Sequence, residues 1–307
     1  MNGTLTLLPD EIDIDLGANE TLLAAALRAG IGHAHACGGR ARCSTCRVRV
    51  VSGIDDCLPR NRDEAAMADR FGFDPAVRLA CQTRVGGDVV VRRLVLDSED
   101  LELALAQNRA DDPSRAVGAE QRLTVMFADL RGFTHFAEHL PPYDVIHVLN
   151  RYFAAMSRAV ERHGGRINNT MGDGLMALFP GDVASRRDGA LEAVAAALAM
   201  VAAMDEVKTY VETTYGHVLD IGIGLHLGEV VLGALARAGE GRLTAIGDTI
   251  NLASRIEQAN KQFGTCVLAS DAVVEALGDH VVVARSVRAR LPGRSEESTL
   301  HEIASLS

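Results

Sequence analysis

Five of the six cysteines in this 307-residue chain lie at or before position 81: Cys37, Cys43, Cys46, Cys57 and Cys81, with Cys266 alone beyond them. Three of these crowd one short loop, with five residues between Cys37 and Cys43 and two between Cys43 and Cys46. Cys81 follows much later, in Leu79-Ala80-Cys81-Gln82. No basic, apolar leader stands in residues 1–10, so a cytoplasmic, reducing compartment is expected, where thiols bind metal or stay free. Four thiolates on two irons make a [2Fe–2S] cluster. A structural zinc ion takes the same four donors, but its ligands usually come as two close pairs. A triplet and a distant single favour the cluster. Gly38 and Gly39 let the backbone approach bridging sulfides, and Ala36, Ala41, Ser44 and Thr45 are also small. Cys57 reads as a partly buried free thiol, and Cys266, in Cys266-Val267-Leu268, as core. His33 and His35 read as surface residues or as hydrogen-bonding neighbours of the ligands.

The length predicts two domains. The segment 97–121 is rich in Asp, Glu, Arg and Gln and contains Asp111-Asp112-Pro113-Ser114. It reads as a short helix at 100–107 and then a linker. The expected division is therefore 1–97, a partly helical linker at 98–119, and 120–307. A net charge of −10 and a pI near 5.5 disfavour nucleic acid or an anionic membrane surface as partner. The most apolar helix-like stretch, residues 193–204, falls short of the roughly 20 residues that span a bilayer. In the first domain, Leu5, Leu7, Ile12 and Ile14 alternate as in a hairpin. A helix over 20–31 places Leu22, Leu23, Ala26 and Leu27 on one face, and strands are expected at 46–51 and 88–96.

The second half carries two carboxylates at turns. The apolar run 123–128 reads as a buried strand ending at Asp129, in Phe127-Ala128-Asp129-Leu130-Arg131-Gly132-Phe133-Thr134. Asp173, in Met171-Gly172-Asp173-Gly174, sits in a hairpin turn between strands at 166–171 and 175–179. If those strands are neighbours, both carboxylates emerge at one edge of one sheet. They then repel unless a cation lies between them, and Mg2+ prefers oxygen ligands that it shares with phosphates. Helices are expected over 143–163, with Val145, Ile146, Leu149, Tyr152, Phe153, Met156 and Val160 on one face, and over 185–207 and 248–263. Strands are expected at 220–225, 229–235, 280–284 and 299–303. Asn251 and Arg255 share a face of the last helix. His163 and His226 read as structural or surface residues.

Residues 1–97 resemble a [2Fe–2S] ferredoxin of the adrenodoxin-type cysteine spacing, which implies a β-grasp-like domain with Cys37, Cys43, Cys46 and Cys81 as cluster ligands. Residues 120–307 resemble the class III adenylate/guanylate cyclase catalytic domain. The resemblance rests on the Asp129 and Asp173 segments, on Ile221-Gly222-Ile223-Gly224-Leu225-His226-Leu227-Gly228-Glu229-Val230, and on Ile246-Gly247-Asp248-Thr249-Ile250-Asn251-Leu252-Ala253-Ser254-Arg255-Ile256-Glu257. It implies an α+β chain whose second domain is a ferredoxin-like palm acting as a head-to-tail homodimer. Asp129, Asp173 and the Leu130 carbonyl are implied to hold two Mg2+ or Mn2+ ions, and Gly132, Phe133 and Thr134 to cradle phosphates. Asn251 is implied to orient the ribose and Arg255 to stabilise the reacting phosphoryl group. The base-reading positions hold Asn169, where adenylate cyclases usually carry Lys, and Thr244. Arg294 stands where relatives often place a phosphate-binding Lys. The implied activity is ATP to 3′,5′-cyclic AMP and pyrophosphate, with GTP as the alternative substrate. Control by cluster redox state, through an unidentified electron donor, is a further expectation. The other reading is an electron-transfer ferredoxin whose degenerate cyclase-like half serves dimerisation or nucleotide binding.

Overall fold

The computed structural model describes residues 3–94, 119–181, 189–234, 243–294 and 296–307. The expected helix and most of the linker at 98–119 fall outside the described residues. The chain forms two compact units.

The first unit is a five-stranded sheet in the order β2-β1-β5-β3-β4. Its strands are β1 (Thr4–Leu8), β2 (Ile12–Asp15), β3 (Arg47–Ser52), β4 (Val77–Leu79) and β5 (Val89–Arg93). The predicted hairpin forms antiparallel, and β1 and β5 run parallel. Helix α1 (Leu22–Arg28) starts where Thr21 Oγ1 accepts from the Ala24 N–H. It buries Leu22, Leu23, Ala25 and Ala26. Leu27, expected on that face, is instead exposed. A second helix, α2 (Arg62–Phe71), was not anticipated. Asn61 caps it through the Glu64 N–H, and Gly72 ends it in the left-handed conformation. Glu64 is buried in a bidentate ion pair with Arg78 of β4 at 2.8 and 2.9 Å, and its Oε1 also accepts from the Leu79 N–H. This network seats β4, and so fixes the chain that leads into Cys81.

The second unit comprises Ala119–Leu232 and Leu243–Ser307. Its eight-stranded sheet follows the order β12-β13-β11-β9-β6-β8-β7, with β10 also paired to β9. The strands are β6 (Ala119–Arg131), β7 (Arg166–Met171), β8 (Gly174–Pro180), β9 (Asp220–Ala234), β10 (Leu243–Ile246), β11 (Val267–Ser270), β12 (Val281–Arg290) and β13 (Glu297–Leu306). The expected strands at 220–225 and 229–235 are one continuous β9, because its ladder to β6 runs unbroken through Gly228. Helices α3 (Phe133–His139), α4 (Pro142–Arg162), α5 (Ala190–Tyr215), α6 (Asp248–Phe263) and α7 (Asp271–Leu277) cover the sheet. The start expected for α5, at 185–188, lies outside the described residues. Helix α4 buries Val148, Tyr152, Met156 and Val160, whereas Ile146, assigned to its apolar face, is 54% exposed.

Alternation along β9 sorts the two faces of the sheet. Ile221, Ile223, Leu225 and Leu227 join α4 and α5 in the main core. Gly222 and Gly224 point the other way, under α6. A Cβ on Gly224 would lie 2.2 Å from the Glu257 nitrogen and 2.6 Å from the Ala253 oxygen, so only glycine lets that helix seat at this depth. Among the described residues no helix is long and apolar enough to cross a membrane.

Candidate active site

Strands β6 and β8 pair antiparallel, with Ala128 opposite Leu175. The tight β7–β8 turn therefore returns Asp173 to the end of β6, beside Asp129. Asp129 Oδ1 lies 3.1 Å from the position a Cβ would take on Gly174, so this glycine keeps the approach clear. The two carboxyl groups hydrogen-bond each other, and the Leu130 N–H donates to both. Burial and the charge of Asp129 push Asp173 up to about 6, and burial also raises Asp129. Two half-buried carboxylates this close repel when both are ionised, and a cation between them relieves that repulsion. This donor set suits a hard divalent ion.

A third carboxyl, Glu257 of α6, comes close to the pair. Burial, and then the charge of Asp129, raise it to about 7, opposed by the nearby Arg131 guanidinium. Glu257 Oε1 and Arg131 Nη2 lie 3.1 and 3.2 Å from where a Cβ of Gly222 would sit. Arg131 also donates to the Thr265 carbonyl. Beneath the acids, the Tyr152 phenol is fully buried and has no hydrogen-bond partner among the described residues. Its titration is raised, first by burial and then by Asp129 and Asp173. Spacing could not reveal this group, because Glu257 and Tyr152 reach the carboxylates only through tertiary packing.

Gly132 ends β6 in the left-handed region, φ 82°, and caps α3, so Phe133 and Thr134 open that helix. Asn251 is exposed and Arg255 half-buried on the first turns of α6. Arg255 lies against Gly293, its Nη2 3.1 Å from a notional Cβ there. Arg294 forms an ion pair with Asp248 at the start of α6. Asn169 is exposed on the edge strand β7. Thr244 lies in β10. His226 is half-buried, with Nδ1 2.8 Å from Ser270 Oγ, which fits its structural reading.

In the first unit the four thiols, all in loops or turns, assemble as two pairs. Cys46 and Cys81 are 3.4 Å apart, sulfur to sulfur. Cys37 and Cys43 share a hydrogen bond that lowers Cys37 to about 5 and raises Cys43. Two pairs match two irons with two thiolates each, so the donors fit a [2Fe–2S] cluster. The loop around them carries Gly38, Gly39 and Ala41 at positive φ. Thr45 Oγ1 accepts from the Ala36 N–H and lies 3.2 Å from Cys43 Sγ, and Gln82 donates to the Gly39 carbonyl and to Cys81. His33 is buried with Nε2 3.3 Å from the Cys46 carbonyl, and so is a neighbour of these thiols. Cys57 is a half-buried free thiol, as expected, but Cys266 is only half-buried at the edge of the core.

Paired carboxylates at the ends of adjacent antiparallel strands, on a helix-covered α+β sheet, define the class: a ferredoxin-like palm domain, preceded here by a ferredoxin-type unit. The sequence model described as "Adenylate and Guanylate cyclase catalytic domain" matches residues 116–301, and that described as "2Fe-2S iron-sulfur cluster binding domain" matches residues 5–86. An adenylate cyclase of Anabaena cylindrica is 33% identical over 193 residues, covering 60% of this chain and 37% of the relative. Adenylate cyclase 1 of Rhizobium meliloti is 34% identical over 183 residues, covering 60% and 27%. The chain thus spans well under half the length of these relatives. Among solved structures, the guanylyl cyclase Cya2 is 34% identical with a TM-score of 0.57, over 62% of this chain and 95% of that one. The adenylyl cyclase CyaB from P. aeruginosa is 26% identical with a TM-score of 0.56, over 61% and 96%. This chain belongs to the adenylate and guanylate cyclase catalytic domain family, fused to a [2Fe–2S] ferredoxin domain.

Proposed function

We propose that the protein is a homodimeric adenylate cyclase that forms 3′,5′-cyclic AMP and pyrophosphate, with GTP as the second candidate substrate. The observation that carries this reading is the close approach of Asp129, at the end of β6, to Asp173, in the β7–β8 turn. In this reading the two carboxylates and the Leu130 carbonyl hold two Mg2+ or Mn2+ ions. When bound, the ions polarise the α-phosphate, acidify the ribose 3′-hydroxyl and offset charge on the departing pyrophosphate. The turn at Gly132, Phe133 and Thr134 receives the β- and γ-phosphates on backbone N–H groups at the start of α3. Asn251 and Arg255 reach the site from the opposite protomer, where Asn251 orients the ribose and Arg255 stabilises charge developing on the phosphoryl oxygens. Asn169 and Thr244 read the base, and Arg294, released from Asp248, meets a phosphate. Asn169 both donates and accepts, so it admits either purine. Two curated relatives at 33–34% identity bear the name adenylate cyclase, which favours ATP. The 34% identity to a guanylyl cyclase keeps GTP as the alternative.

Domains at 1–97 and 120–307, joined by the segment 98–119, complete the reading. Cys37, Cys43, Cys46 and Cys81 hold the [2Fe–2S] cluster, and its redox state controls turnover in the cytoplasm. The test is an anaerobic assay of the purified chain with ATP or GTP and Mg2+ or Mn2+, in oxidised and dithionite-reduced states. Absence of cyclic nucleotide under every condition rejects the enzyme and leaves the electron-carrier alternative. Equal rates in both redox states reject the control.

A further inference from the structure

Three histidines away from the carboxylates gather beside the helix that follows the Gly132 turn. His135 and His139 are four apart on α3 and share its face. His217 lies in the turn between α5 and β9. The ring centroids are 4.2 Å apart for His135 and His139, 5.5 Å for His135 and His217, and 6.2 Å for His139 and His217. Three imidazoles on one tetrahedral ion, each at about 2.0–2.1 Å, place their centroids about 5 Å apart. Two separate elements thus bring the three rings within side-chain reach of one another.

His139 is further prepared. Its Nδ1 lies 2.7 Å from the His135 carbonyl oxygen. A carbonyl only accepts, so Nδ1 carries a proton, and in the neutral ring Nε2 is then the nitrogen with the free lone pair. Metal-binding histidines use this same tautomer and this same outer hydrogen bond. Phe136, fully buried, packs edge-on against His217 at 5.7 Å and against Tyr215 at 5.9 Å, which seats the turn on the helix. The ring nitrogens do not converge as they stand: among the described residues no three His, Cys, Asp or Glu side chains are set to hold an ion. The 29° stack of His135 on His139 opens by side-chain rotation alone, which is fast for exposed residues, and both rings are exposed.

We propose that His135, His139 and His217 form a site for a divalent transition metal of the zinc type, separate from the Asp129–Asp173 pair. Imidazole nitrogen suits zinc, copper and nickel and leaves magnesium to oxygen donors. The site also has a structural position. The Val218 carbonyl oxygen is 3.0 Å from where a Cβ of Gly132 would sit, so an ion here ties α3 to the 216–218 turn on either side of that glycine.

The test is a zinc titration of the full chain, with its cluster loaded, against a chromophoric chelator in excess Mg2+. The wild type is expected to retain one zinc per chain that His217→Ala and His135→Gln each bind at least about ten-fold more weakly. Asp129→Asn should retain it undiminished, and the cluster absorbance should stay constant throughout. Equal retention by the wild type and both histidine variants overturns the site. So does loss of the zinc in Asp129→Asn, or zinc uptake that tracks bleaching of the cluster. His135→Gln changes only an exposed helical side chain, so it keeps the test valid should His217→Ala fold poorly.

Discussion

At the scale of single residues, burial without compensation shapes titration. Burial is the main cause that lowers His226 to about 4, and Arg294 adds to it against the opposing charge of Asp248. The unfolded chain, with histidine near its ordinary value of about 6.5, takes up this proton first as the solution is acidified. The contribution of neutral His226 is therefore complete above about pH 6.5 and is lost as pH falls toward 4. His226→Gln keeps a polar group for Ser270 and removes the titration. The stability difference between wild type and variant, from urea unfolding at pH 7 and pH 5, should shift against the wild type at pH 5. The same scale shows what spacing can reveal. The four grouped thiols and Asp129 stand out in the sequence as candidates because each lies in a short segment that fixes its neighbours. Glu257 and the Tyr152 hydroxyl do not, because helix-on-sheet packing brings them to the acids.

At the scale of elements, two contacts set the geometry of both halves. Glu64 and Arg78 are nearly inaccessible, at 1% and 5% side-chain exposure. Glu64→Ala leaves a buried guanidinium unpaired and should cost about 3–5 kcal/mol, with lower iron content per chain because Cys81 follows β4. Denaturant unfolding and iron analysis check this. In the other half, Gly224→Ala forces a methyl group into the backbone of α6. It should cost about 1–3 kcal/mol through overpacking and reduce turnover at temperatures where the variant remains folded. Circular dichroism beside the cyclase assay separates the two effects. Most elements were readable from periodicity and caps. The helix bounds of α6 matched the expected 248–263 because Asp248 and Gly264 punctuate it. Helix α2 was missed although Asn61 and Gly72 mark its ends, since half of its residues are charged and most of the rest are alanine. Strand β9 was split because Gly228 reads as a break, whereas pairing to β6 carries the chain straight through.

At the scale of the molecule, the proposed active site needs two chains. Asp129→Asn and Arg255→Ala should each abolish activity alone. Unfolded together and refolded as a mixture, half of the dimers are mixed, and each of these holds one intact site. About a quarter of wild-type activity should return, and a mixture that stays inactive contradicts the head-to-tail arrangement. The molecule also distributes its constraints unevenly. Gly224 lies under a helix and tolerates no side chain. Asn169 lies on the outer strand with its side chain in solvent, where substitutions usually change stability by less than about 0.5 kcal/mol. On the proposed reading, in which Asn169 meets the base, nucleotide preference can drift under selection through Asn169 at little risk to folding, while the bed beneath α6 is held to glycine.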